Sequence, residues 1–156
     1  MGEELIKEYH KLLKSATTDD RVKHWFNVGE YKKLENLVGD MATSKPDDVK
    51  KDMTKLLKEY HSISKITLEN IVDFHVKFES IHPFQDGNGR IGRMIMFRET
   101  LKHSVIPFII DEKHKQYYYR GIMKYRNGEK KWLLDTIRCG QDDFVKMCND
   151  LLEGWK

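Results

Sequence analysis

A single, mostly helical domain with one short β-hairpin is the fold this sequence predicts, and three observations lead there. Apolar residues recur at helical spacing through most of the chain, whereas residues 27–43 lose that period. The 156 residues, 39% apolar and 34% charged, suffice for one hydrophobic core and do not have the composition of a disordered chain. No repeat, low-complexity tract or interdomain linker divides it, so residues 1–156 read as one all-α domain of about six to eight helices.

Each element has its own signal. Over residues 3–14, Leu5, Ile6, Tyr9, Leu12 and Leu13 form one stripe of an amphipathic helix. Residues 27–43 contain Gly29, Tyr31, Leu34, Leu37, Val38 and Gly39 without a helical stripe, and read as an extended segment or hairpin. A second helix is expected over 46–60, with Pro46 in its first turn and Asp47 and Asp48 at the positive end of its dipole. Thr67 can cap a third, running to Ile81. Its apolar residues Leu68, Ile71, Val72, Phe74, Val76, Phe78 and Ile81 nearly encircle it, so it should be central. A fourth is expected over 89–102, a fifth over 111–126 from Asp111 to the Asn127-Gly128 stop, and two more over 129–138 and 141–153.

Composition excludes some classes of function. A net charge of +3 with interspersed signs gives no basic stripe for nucleic acid, and no apolar run is long enough for a membrane helix. Cys139 and Cys148 read as free thiols in a reducing compartment, so a cytoplasmic location is expected.

The chemistry concentrates in residues 82–93, HPFQDGNGRIGR, between the third and fourth helices. Pro83 ends the preceding helix because the residue before a proline is pushed out of the α region. Gly87 and Gly89 admit backbone angles that other residues resist and leave a ligand room. The loop runs straight into a helix, whose N–H groups and dipole make an anion cradle. Arg90 and Arg93 are three apart on its first turn, and both guanidinium groups can fork onto phosphate oxygens. Asp86 is a hard carboxylate suited to Mg²⁺. His82 is the residue of this loop able to accept a proton near neutral pH, as a hydroxyl attacking phosphorus requires.

These twelve residues resemble the motif of the Fic family, HPFx(D/E)GNGRxxR, at every specified position. The resemblance implies a protein adenylyltransferase that moves AMP from Mg·ATP to a Tyr, Ser or Thr hydroxyl of a target protein. It implies His82 as base, Asp86 as Mg²⁺ ligand, and Phe84 as an anchor in the core. Gly87, Asn88 and Gly89 would hold phosphates, Asn88 partly through its side chain, with Arg90 near the β-phosphate and Arg93 at the γ-phosphate. The segment 30–43 is similar to the family's flap hairpin, which pairs with the target's backbone as an added strand. Tyr118, within the run Tyr117-Tyr118-Tyr119, and Asn127 resemble the adenine-side pocket. Relatives of the Doc type, which act as kinases, carry Lys where Gly89 stands, so the resemblance favours AMP transfer. The implied location is cytoplasmic, or that of a toxin-like effector delivered into another cell.

Other readings stand beside this one. Removal of AMP, transfer of UMP or phosphocholine, and a non-catalytic module binding a partner through the flap are the alternatives. His75 lies seven residues before His82 and reads as a packed histidine, while His10, His24, His61, His103 and His114 lack metal-ligand spacing. The inhibitory pattern (S/T)xxxE(G/N) of the family has no match. The nearest, Asn149 to Gly154, reads as an ordinary helix end. The chain is then expected to be constitutively active. It is also expected to be excised from a longer protein, with any inhibitory segment upstream, on a partner such as an antitoxin, or nowhere.

Overall fold

In a computed structural model of the chain, residues 1–15, 26–39 and 41–154 are described. Among these the order is α1 (Glu3–Lys14), β1 (Leu37–Val38), β2 (Met41–Ala42), α2 (Pro46–His61), α3 (Leu68–Ile81), α4 (Asn88–Lys102), α5 (Lys115–Arg126) and α6 (Lys131–Glu153). The all-α fold with a hairpin is therefore the one observed. The strands pair antiparallel with Leu37 opposite Ala42 and Val38 opposite Met41, and Gly39 turns between them at φ +60°. His24 lies outside the described residues.

The residues group into two compact units, 1–66 with 73–96, and 67–72 with 97–156. In the first, Ile6 of α1, Val49, Met53 and Leu56 of α2, Phe74 and Phe78 of α3, Phe84 of the following loop, and Ile91 and Ile95 of α4 form one buried cluster. From the α1 stripe this cluster takes Ile6, with Tyr9 and Leu13 packed against it, while Leu12 stays exposed; from α3 it takes Phe74, Phe78 and Ile81. In the second, α5 and α6 form a close antiparallel pair whose buried residues include Tyr118, Ile122, Leu133 and Ile137. Gly121 makes that approach feasible, since a Cβ there would stand 2.9 Å from the Leu133 Cα.

Helix starts follow the caps in part. Thr67 and Asn70 cap α3 reciprocally, with the Thr67 N–H donating to Asn70 Oδ1 at 3.0 Å and the Asn70 N–H to Thr67 Oγ1 at 3.4 Å. Asp111 does not start α5. It accepts the His114 N–H at 2.9 Å and closes a turn, and the helix begins at Lys115. The two helices expected over 129–138 and 141–153 are one helix of 23 residues. Gly140 does not break it, because the glycine serves packing: a Cβ there would meet the Ile109 carbonyl oxygen at 2.7 Å. The thiols of Cys139 and Cys148 are free. No helix among the described residues is long and apolar enough to cross a membrane.

Candidate active site

All of residues 82–93 lie in the first unit, where α3 ends, a loop turns, and α4 begins. Pro83 stops α3 as its chemistry requires. His82 leaves the helix with φ +52°, a left-handed conformation that costs a non-glycine residue about 1–2 kcal/mol. The neighbours compensate. Phe84 is wholly buried and stacks on the His10 ring at 4.1 Å and 5°, with Tyr31 tilted against it at 5.7 Å. The Asn88 side chain closes the loop, accepting from the Phe84 N–H at 2.8 Å and donating to the Phe84 carbonyl at 2.7 Å. One amide N–H and one carbonyl lone pair of Asn88 are thereby committed to the loop itself.

The hairpin segment is stitched to this loop. The Lys32 N–H donates to the Pro83 carbonyl at 2.8 Å, the Leu34 N–H to Gln85 Oε1 at 3.2 Å, and Asn36 Nδ2 to the Phe84 carbonyl at 3.0 Å. The buried Lys32 ammonium joins Asn36 Oδ1, Thr43 Oγ1 and the Ile81 carbonyl, so it caps the negative end of α3 directly before His82. Burial lowers its pKa to about 8, with the Glu35 carboxylate only partly opposing the shift.

The two glycines do different work. Gly87 sits at φ +84°, which a side chain would strain, and the Ile91 N–H bonds its carbonyl as α4 begins. Gly89 is helical, so its conformational freedom is not what the site uses. A Cβ there would lie 3.3 Å from Arg93 Nη1.

The side chains that could meet a phosphate and its cation surround this turn. Asp86 is half-exposed and accepts from the buried Lys14 ammonium at 2.7 Å, with Arg90 Nη2 at 3.4 Å. Burial raises its pKa, but Lys14, the Gly87 N–H and Arg90 together hold it below the usual carboxylate range. An ionised, reachable carboxylate beside the N–H groups opening α4 fits Mg²⁺ held jointly by protein and phosphates. His82 is 18% exposed, and its Nδ1 faces Glu79 Oε2 at 3.6 Å. Glu79 is buried, which pushes its pKa up, yet His82, His75 and Arg93 bring it below the ordinary range.

Three contributors escaped the sequence reading. Lys14 meets Asp86 across 72 positions and Lys32 reaches Ile81 across 49, separations that carry no local signal. Glu79, three residues before His82 on one helix face, was legible by spacing alone. Tyr118 and Asn127 belong to the second unit. Tyr118 is buried within α5, and Asn127 is the exposed C-cap of that helix.

His10 ties acid stability to this site. It is wholly buried, its Nδ1 accepts the Gly29 N–H at 2.9 Å, and burial lowers its pKa to about 4. The unfolded chain, with a histidine pKa near 6.5, then binds the extra proton between about pH 6.5 and 4, so stability is lost as pH falls through that window. The drop from pH 7 to 4.5 should be about 2–3 kcal/mol, or roughly 5–10 °C in Tm, added to the carboxylate contribution. Thermal melts of the protein and of His10→Gln check this. The variant should show the shallower pH dependence, and parallel curves would refute the assignment.

Comparison with known proteins follows the same residues. Residues 1–99 match the Fic/DOC family. A protein adenylyltransferase Fic of Nematostella vectensis is 27% identical over 122 residues, covering 74% of this chain and 28% of its own length. Its counterpart in Drosophila ananassae is 29% identical over 104 residues, covering 65% and 21%. The chain thus spans about a quarter of the length of these relatives. Among solved structures, a Fic domain containing signaling protein from Bacteroides thetaiotaomicron superposes with TM-score 0.73 at 20% identity, over 94% of this chain and 60% of that one. Fic-1 of C. elegans gives 0.77 at 17%, over 100% and 45%. BepC of Bartonella tribocorum, solved with bound AMPPNP, gives 0.61 at 18%, over 88% and 73%. At such identities these superpositions speak for the fold alone.

Proposed function

Because the chain belongs to the Fic/DOC family, we propose that it is a protein adenylyltransferase, moving AMP from ATP to a Tyr, Ser or Thr hydroxyl of another protein. The observation that carries this reading is the joint geometry of one loop: a partly exposed imidazole at φ +52°, a glycine at φ +84°, and an ionised Asp86 at the N-terminus of α4. Its relatives named protein adenylyltransferase Fic support the same reaction and, with it, ATP as the donor.

In this mechanism the phosphates of ATP rest on the backbone N–H groups opening α4, with Arg90 and Arg93 neutralising charge on the oxygens. Asp86 would hold Mg²⁺, which when bound spreads phosphate charge. His82 takes the proton of the target hydroxyl as that oxygen bonds to the α-phosphorus. The bond from the α-phosphorus to the bridging oxygen breaks, and pyrophosphate leaves with the electron pair. The hairpin Leu37–Val38 and Met41–Ala42 offers an edge on which an extended target segment can add as a strand. Tyr118 and Asn127 stay candidates for the adenine end.

Radiolabel position tests this directly. Incubation with Mg²⁺ and ATP labelled at the α-phosphorus should label lysate proteins or the enzyme itself, and EDTA should stop it. Label arriving only from the γ-phosphorus would make the chain a kinase, and none from either would defeat the proposal.

A further inference from the structure

The carboxylate of Glu79 has no role in phosphate binding, yet the site is built around it. It projects from α3 one turn before His82, is 10% exposed, and lies with Oε2 3.6 Å from His82 Nδ1. Both that nitrogen and Glu79 Oε1 are shut off from solvent without a hydrogen-bond partner. The two glycines on the facing side of α4 leave room for it. A Cβ on Gly92 would stand 3.2 Å from Glu79 Oε1 and 2.6 Å from the His75 ring, and one on Gly89 would stand 3.7 Å from Glu79 Oε1. Charged and titratable groups reach it from three sides, His75 from α3, His82 from the loop after it and Arg93 from α4. Burying a carboxylate is costly unless such partners surround it.

We infer that Glu79 is a positioning residue for His82, fixing the tautomer that leaves the outer ring nitrogen, Nε2, as the proton acceptor. The inference rests on the proposed nucleotidyl transfer. A neutral imidazole carries its proton on one nitrogen only. A proton on Nε2 would leave the Nδ1 lone pair facing the Glu79 carboxylate, two acceptors opposed, with Nδ1 shut off from solvent. A proton on Nδ1 gives that carboxylate a donor, and a contact of 3.6 Å needs only modest tightening, as apo sites commonly show. With Nδ1 buried in an imidazole that is 18% exposed overall, the Nε2 lone pair is the one left to accept a proton. When the target hydroxyl gives up its proton, Nε2 gains it and the ring becomes an imidazolium. Glu79 stays ionised and faces the new positive charge.

Imidazole ¹⁵N spectra of the whole chain test this, with the His82 signals assigned by their loss in His82→Ala. Above the titration of the ring, His82 should be mainly the Nδ1–H tautomer. In Glu79→Met, which keeps the length and removes the acceptor, the population should move to Nε2–H. Alongside it, kcat for AMP transfer should fall by about tenfold or more with the KM for ATP little changed, and Glu79→Asp should recover part of both. Should Glu79→Met not fold, Glu79→Leu, which likewise carries no acceptor, supplies the same two readouts. An Nε2–H tautomer in the unaltered protein, or one population shared by all variants, overturns the positioning role. If the unaltered protein transfers no AMP, the function fails, and the tautomer comparison still decides what Glu79 does to His82.

Discussion

Replacing His82 by alanine is expected to lower AMP transfer by about 10²–10⁴-fold, the usual worth of a positioned base, while ATP still binds. The imidazole is partly exposed at the start of the loop, whereas the proposed anion cradle lies farther along it, at the backbone N–H groups opening α4 and the arginines of its first turn. The substitution therefore removes proton transfer and leaves phosphate binding. It also relieves a left-handed backbone at φ +52° only slightly, because alanine resists that region as histidine does. Calorimetric titration of ATP together with transfer rates measures both quantities. Undiminished transfer would remove His82 from the chemistry. Lost ATP binding would make it a structural element of the cradle.

Phe84→Ala should be the most destabilising single change in the loop, at about 3–5 kcal/mol. The ring is wholly buried, stacked on His10 and tilted against Tyr31, and its backbone carries the Asn88 and Asn36 bonds. Emptying that volume removes contacts from α1, the hairpin segment and the loop together, and none of them is free to fill it. A domain of ordinary stability has only about 5–15 kcal/mol to lose. Urea unfolding should show a midpoint displaced far downward with the slope largely kept. A loss under about 1 kcal/mol would mean that the loop does not depend on this ring.

The fold was legible wherever one helix face or one residue type decided the outcome. The stripe of α1, the nearly encircled α3 and the loss of helical period before Pro46 each specify an element by local burial, and each is present. Signals failed where tertiary contact overrode a local rule. Gly140 looks like a break but admits a neighbouring carbonyl, and Asp111 looks like a cap but closes a separate turn. The loop 82–93 made the family legible because its residue types are rare in combination and stand at consecutive positions. Lys14 and Lys32 were not readable, since a lysine bound for burial has the same sequence context as one bound for water. The loop-closing bonds of Asn88 were hidden for a related reason: its amide suits an anion and a loop carbonyl equally, and spacing alone does not show that it joins Phe84.

The Lys14 ammonium at the end of α1 bears on how the loop tolerates its own acid. With that cation 2.7 Å away, the carboxylate at the mouth of the loop is not an isolated negative charge. Its charge is balanced from within the fold, so that ion pair needs no divalent ion to form. Under the proposed function, magnesium arriving with ATP would meet a carboxylate already ionised, at the expense of loosening one internal ion pair.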